Sequence, residues 1–342
     1  MKYIPLLLTT ILSTMLSTAF AQTASEIAAK QKTDSLKLAG LSEYATRYPA
    51  LRQGAFATDI MGNGNVKAEL NGKDLYEGKL KVTRIRSNFN IPVVQWGRNV
   101  ITGTISYQQT HFETDQIKSY SPEFSSMDRS LTKSTVGFTA SFSRIDSIFH
   151  HAIRYSAGIS GLTDEASSIK RVNYIGNVTV PVMRSQYSSL SLGVVVLLDP
   201  SSISPVIPIV SYWHKFKTPD LYLYVDLPQR IVVRKQLSKK SWAFVGSELG
   251  GNFFFFDFNQ PSLPHNSIYS TVDIRTGGTF EYLLTKKLVI GVSGGLYTTA
   301  QSRMYADDAK SSAYFFKSQN GSVPYISFSI SFLPFLKSIT NR

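Results

Sequence analysis

Residues 131–162 read LTKSTVGFTASFSRIDSIFHHAIRYSAGISGL, and their pattern decides the fold. In the first arm Val136, Phe138, Ala140 and Phe142 alternate with Thr135, Gly137, Thr139, Ser141 and Ser143. In the second, Ile153, Tyr155, Ala157 and Ile159 alternate with Ala152, Arg154, Ser156, Gly158 and Ser160. Successive strand side chains point to opposite faces, so each arm has one apolar and one polar face. A short connection near Asp146-Ser147 makes the pair a β-hairpin.

The same alternation recurs along the chain. It predicts strands near 55–70, 80–93, 99–112, the two arms of the hairpin, 171–183, 188–198, 206–216, 221–227, 230–237, 242–253, 269–284, 288–297 and 324–333. That is about fourteen strands, with twelve as the alternative if a weak pair is discounted. The longest apolar run after residue 21 is Val194–Leu198 in sequence, far short of the ~20 residues of a spanning helix. Yet 43% of the chain is hydrophobic, with 18 Tyr and 21 Phe. The predicted fold class is all-β, a transmembrane antiparallel β-barrel. A closed barrel is the one non-helical structure that satisfies every backbone group in lipid.

Loop lengths support the even count. Long connections are expected at 113–130, 163–170, 254–268 and 298–323. Tight ones are expected at 95–98, 144–150, 184–187, 217–220, 238–241 and 285–287. With fourteen strands, and a tight turn at Asp226-Leu227-Pro228-Gln229, all long loops fall at one end and the six tight turns at the other. Arg98, Arg144, Arg184, Lys217, Lys239, Lys240, Lys286 and Lys287 make the tight end basic. The net charge of +13 is thus read as a rim beside anionic lipid headgroups, with no nucleic-acid partner.

The chain opens MKYIPLLLTTILSTMLSTAFAQ. Lys2, the apolar stretch 4–16 and Ala19-Phe20-Ala21 form a secretory signal with cleavage before Gln22. The expected organisation is a signal peptide at 1–21, a periplasmic arm or short helix at 22–53, and the barrel at 54–342. Export to the Gram-negative outer membrane follows, with outer-membrane lipids and the barrel-insertion machinery as partners. The chain has no cysteine, so thiolate metal sites, disulfides and a cysteine nucleophile are excluded.

Aromatic residues near strand ends are assigned to interface girdles: Trp96, Tyr187, Phe216, Tyr282 and Phe332 at the tight-turn end, Phe112, Phe253 and Tyr269 at the other. The run Phe253-Phe254-Phe255-Phe256 is read first as a girdle cluster and otherwise as a segment folded into the barrel.

The barrel pattern resembles Gram-negative outer-membrane β-barrel proteins. The stretches Leu221-Tyr222-Leu223-Tyr224-Val225-Asp226-Leu227-Pro228-Gln229-Arg230, Lys235-Gln236-Leu237-Ser238 and Phe244-Val245-Gly246 resemble an outer-membrane barrel family of unknown function. That resemblance implies no activity. Many such barrels end on an aromatic residue, whereas here Phe332 and Phe335 are followed by Leu-Lys-Ser-Ile-Thr-Asn-Arg.

Three functions are weighed. The first is porin-like passage of small solutes. Strand phase places Lys67, Arg84, Arg86, Arg154, Arg171, Lys215 and Arg275 in the lumen against Asp59, Glu69, Asp226, Asp273 and Glu281, so a mild anion preference is expected. Alternatively these groups pair and plug the lumen. The second function is a non-conducting structural or interaction barrel. The third is a lipid-active hydrolase using His265 and Ser267, whose i, i+2 spacing puts both on one face of a strand. No cofactor or metal is expected. His150 and His151 are adjacent and point to opposite faces, and Asp307-Asp308 reads as a solvated loop.

Overall fold

The computed structural model describes residues 24–122, 124–148, 151–165, 168–199, 205–336 and 340–341. The leader expected at 1–21 and the pair His150-His151 fall wholly or partly outside them. Two compact units divide the chain, Met1–Leu51 and Arg52–Arg342. In the first lie helix α1 (Ala24–Arg47) and a 3₁₀ turn (Pro49–Leu51). Glu43 and Arg47, one helical turn apart, form an exposed ion pair at 2.8 Å. No described helix is long and apolar enough to cross a membrane.

The second unit is almost entirely strand. In order the strands are β1 (Gly54–Leu70), β2 (Lys73–Trp96), β3 (Asn99–Ser119), β4 (Arg129–Ile148), β5 (His151–Thr163), β6 (Arg171–Arg184), β7 (Ser188–Leu198) and β8 (Val206–Lys215). They continue as β9 (Leu221–Leu227), β10 (Arg230–Gln236), β11 (Ser241–Asp257), β12 (Asn266–Leu283), β13 (Leu288–Ala306), β14 (Phe316–Asn320) and β15 (Val323–Phe332). A two-residue β16 (Thr340–Asn341) runs parallel to the end of β2.

Each strand from β1 to β13 pairs antiparallel with the next, and β15 pairs with both β13 and β1. The sheet therefore closes. β14 and β15 are one strand broken at Gly321-Ser322. Against β1 they share a single register, Val66 opposite Asn320 and Met61 opposite Tyr325. Against β13 they do the same, Arg303 opposite Lys317 and Tyr297 opposite Val323. The ring is a fourteen-stranded antiparallel β-barrel, and closure leaves no unpaired edge.

The loops lie as the even count requires. Residues 120–128, 164–170, 258–265 and 307–315 connect strands at the loop end, together with the two-residue turns Asn71-Gly72 and Pro228-Gln229, and every connection at the turn end is short. Several strands run further past the loop end than the alternation indicates. β13 continues to Ala306, and β2 starts at Lys73 after the two-residue turn Asn71-Gly72. Both turn residues have positive φ, 50° and 75°, as a tight hairpin turn demands.

The outer face is apolar. Phe138, Ile159, Tyr174, Leu192, Val206, Ile231, Val245, Phe280 and Phe328 are all exposed. In a water-soluble barrel so large a contiguous apolar belt would be strongly disfavoured; in lipid it is the required surface.

One crease interrupts this regular wall. β1 bulges between Met61 and Gly64, β13 carries an extra residue at Ala300 opposite the Val272/Asp273 step, and β14–β15 breaks at Gly321-Ser322. β11 has Gly250-Gly251 at this level, with Gly251 opposite Val272. A bulge bends a strand and reverses its side-chain phase. Beyond the crease the loop ends of β11, β12 and β13 turn into the barrel.

Candidate functional site

The inward-turned segment acts as a partition across the lumen. Thr135 on β4 donates from Oγ1 to the main-chain oxygen of Phe253 on β11 at 2.7 Å. The Lys133 ammonium sits 4.3 Å from the Phe256 ring centroid, and Phe254 packs edge-on against Phe112 at 5.5 Å. On the other side Phe255, Ile268 and Tyr305 form a buried cluster with Leu162 of β5. Both faces of the β11–β13 ends are thus covered, and Phe254 and Phe255 are 2% and 3% exposed. This corrects the girdle reading of Phe253–Phe256, and of Phe112 and Tyr269: they pack inside the barrel. Trp96, Tyr187 and Phe332 are exposed, as the girdle at the turn end requires.

On one side of the partition, between β1–β3 and β11–β15, the lumen is filled. Asp59 of β1 is fully buried. Arg86 grips it with Nε and Nη2 at 2.9 and 3.0 Å, and Arg84 reaches it with Nε at 3.0 Å. Ser327 donates to the same carboxylate at 2.7 Å. Arg84 then bridges the lumen, donating to Asn252 at 3.1 Å and lying 3.6 Å from Asp273. Asn252 and Thr271 donate to Asp273 in turn. The guanidinium of Arg84 lies over the Tyr297 ring. A cavity of about 40 Å³ lies here, bounded by Met61, Arg84, Phe112, Phe254, Asp273 and Asn320 among others. Such a volume admits a few waters.

Towards the turn end a second buried network closes the same half. Arg52, just before β1, holds both oxygens of Glu281 at 2.7 and 2.6 Å and donates to Ser331 at 2.9 Å. The indole of Trp242 donates to Glu281. Gln53 bonds to the Asn90 carbonyl and receives the main-chain N–H groups of Phe335 and Leu336, which holds these two residues at this end.

The other half of the lumen differs along β4–β8, whereas on β9 and β10 the inward-facing Tyr224, Arg230, Val232 and Arg234 are buried. Register fixes which side chains face inward: Ser143 with Ser156, Ile145 with Arg154, Asn177 with Ser156 and Val195, Ser191 with Ser211. Asn177 donates to Ser156 at 2.6 Å. These inward groups remain accessible. Ile145 is 55% and Ile175 39% exposed, although neither faces lipid.

The residues assigned to the lumen by strand phase divide accordingly. Asp59, Arg84, Arg86 and Asp273 come together in the filled half. Glu281 joins Arg52 instead. Arg275 pairs with Glu248 at 3.1 Å across β11–β12. Asp226 takes Arg230 and Ser211, at 2.9 and 2.7 Å. Arg171 pairs with Asp199 and lies over the Phe253 ring at the partition. Arg154 and Lys215 face the accessible half and make no ion pair among the described residues. Lys67 and Glu69 depart from expectation. Beyond the bulge at Met61–Gly64 the phase of β1 reverses, burying Val66 and Ala68 and turning Lys67 outward to pair with Asp74 at 2.9 Å. Glu69, two residues on, shares that face.

His265 and Ser267 do not form a nucleophile–base pair. The imidazole Nδ1 lies 2.8 Å from the Phe258 carbonyl, and the buried Ser267 hydroxyl donates to the Pro264 carbonyl at 3.1 Å. The inward fold of Phe253–Phe256 was the second of two readings, and Asn252 and the Glu281 partners Arg52 and Trp242 escaped the sequence reading. The Gly250-Gly251 pair ahead of the phenylalanine run was the available sign.

Closed antiparallel pairing, an apolar outer belt and a polar interior define a β-barrel of the outer-membrane type. Solved barrels resemble it only loosely. An outer membrane channel from Pseudomonas putida F1 is 10% identical, with 82% of this chain and 96% of that chain covered and a TM-score of 0.36. A Pseudomonas aeruginosa FadL homologue is 7% identical over 82% and 90%, with a TM-score of 0.29. The translocator domain of the autotransporter NalP from Neisseria meningitidis is 8% identical over 91% and 98%, with a TM-score of 0.27. No protein-family model and no curated protein matches the chain, so the narrower likeness around Leu221–Leu227 gains no support.

Proposed function

We propose that this protein is a passive outer-membrane conduit for small solutes, and that the path runs through the part of the lumen lined by β4–β8. The observation that carries this reading is the contrast in exposure between inward-facing side chains. Those of the filled half, Asp59, Arg84 and Asp273, are at most 5% exposed, whereas Ile175 on β6 is 39% exposed and Arg154 on β5 is open to solvent. Outer-membrane placement is supported by the apolar belt and by the export signal read at residues 1–21.

The absence of cysteine supplies the test. A Ser156→Cys protein inserted in a planar bilayer should conduct in discrete steps, and a charged thiol reagent should reduce the step size. Thr110→Cys, in the filled half, should conduct normally and ignore the reagent. A correctly inserted barrel that never conducts overturns the reading.

A further inference from the structure

The run Val194–Leu198 in sequence has a consequence on the inner face of the wall. Val194, Val196 and Leu198 belong to the outer, lipid-type face, but Val195 and Leu197 point inward. Register sets Leu197 beside Ile175 of β6 and Val195 beside Ile207 of β8, with Ile209 two residues along. Five aliphatic side chains on three adjacent strands therefore form one patch inside an otherwise Ser- and Asn-lined lumen. Apolar surface held against water is unfavourable in proportion to its area, so a solute that covers the patch is favoured there.

The charge on the same wall says which solute. Arg154 stands opposite Thr179, four residues from Ile175, about 13 Å along the strand. Lys215 lies six residues beyond Ile209, about 20 Å away. Both cations face the lumen on the turn-end side of the patch, and neither has a carboxylate partner among the described residues. We infer that the accessible half of the lumen binds amphipathic anions, molecules with an aliphatic body and a single anionic head, in passage. The body lies on Ile175, Val195, Leu197, Ile207 and Ile209, and the head meets Arg154 first and Lys215 next. This rests on the conduit reading above, and it assigns that conduit a solute class.

Decanoate is the probe, because its extended chain matches the spacing between patch and Arg154. Decanoate should reduce the bilayer current at lower concentration than acetate, which has the head alone, or decyltrimethylammonium, which has the chain with the opposite charge. The paired substitution Ile175→Ser with Leu197→Ser should weaken the block roughly tenfold or more, since covering aliphatic side chains is worth a factor of that order. Arg154→Gln with Lys215→Gln should weaken it too. Heat-modifiable gel mobility establishes that each variant is folded. A pore that conducts but responds alike to decanoate and acetate, or whose folded variants are blocked like the parent, overturns the solute assignment and leaves the conduit standing. A silent barrel overturns the conduit. In that case calorimetry of decanoate with the barrel in lipid nanodiscs decides the site: saturable binding lost in the variants upholds it, and no binding beyond empty discs removes it.

Discussion

Thr135 and Phe253 lie on strands seven places apart around the ring, yet the Thr135 hydroxyl donates to the Phe253 carbonyl at 2.7 Å. A carbonyl on the free edge of β11, above the short β10, thereby finds a partner on the opposite wall. β10 begins only at Arg230, opposite Glu248, so the β11 edge beyond Leu249 has no neighbouring strand on that side. Unpaired main-chain groups in a low-dielectric setting are costly, and the contact with β4 relieves one of them. The barrel is thus divided by its own wall.

The Asp59 carboxylate holds two guanidinium groups in the filled half. Asp59→Ala leaves Arg84 and Arg86 without it, and breaking a buried pair by removing one partner costs about 3–5 kcal/mol. The temperature of the heat-modifiable gel transition should fall markedly. Conductance of the barrels that still fold should be unchanged, because the proposed path lies in the other half.

Selectivity should respond to Arg154 and not to Arg84. Arg154→Glu should move the reversal potential in a salt gradient towards cations. Arg84→Gln, whose charge is already neutralised within its network, should leave the reversal potential in place. Equal shifts in both variants would put the path on the wrong side of the partition.

Lys170, in the loop after β5, ties the partition to the wall through Asp257 at 2.9 Å, with Asp164 and Glu165 at 3.5 and 3.6 Å. The hydrogen bond to Asp257 raises the Lys170 pKa above its ordinary value of 10.5. A raised lysine contributes stability that is complete below its unfolded pKa and disappears as pH climbs through the folded one. The clamp should therefore persist through neutral and mildly alkaline conditions and release only above the ordinary lysine range. Lys170→Glu should release it at every pH, seen as larger or noisier current steps, and Lys170→Met should abolish the alkaline change.

Gly277 and Gly278 face Gly295 and Gly294 across β12–β13. A Cβ on Gly277 would lie 2.1 Å from the Gly294 oxygen, whereas one on Gly278 would meet only the Phe244 oxygen at 3.9 Å. Gly277→Ala should destabilise by about 1–3 kcal/mol through forced backbone movement, and Gly278→Ala far less. Urea-unfolding midpoints of the two variants should separate accordingly.

Much of this architecture is legible in the chain. Alternation marks the strands and their number, and it places Arg84, Arg86, Arg154, Asp273 and Glu281 on the inner face. It fails at Lys67 and Glu69, because one extra residue between Met61 and Gly64 shifts the period and nothing in a local window reveals the slip. Its first reading also places Phe254 and Phe255 in lipid, with the inward fold as the alternative. Both are apolar residues at a strand end, and burial by a distant wall looks the same in sequence as burial by lipid.

The sequence by itself determined the strands, the parity of the ring, the apolar outer belt and the basic turn end. Each follows from a period of two and from turn chemistry, which act between near neighbours. The tertiary structure alone decided that the loop ends of β11–β13 fold inward, that Arg84 spans the lumen to Asn252 and Asp273, and that Arg154 stays exposed with no ion pair among the described residues. Those relationships join residues far apart in the chain, and they depend on how far a creased sheet bends, a quantity no local pattern encodes.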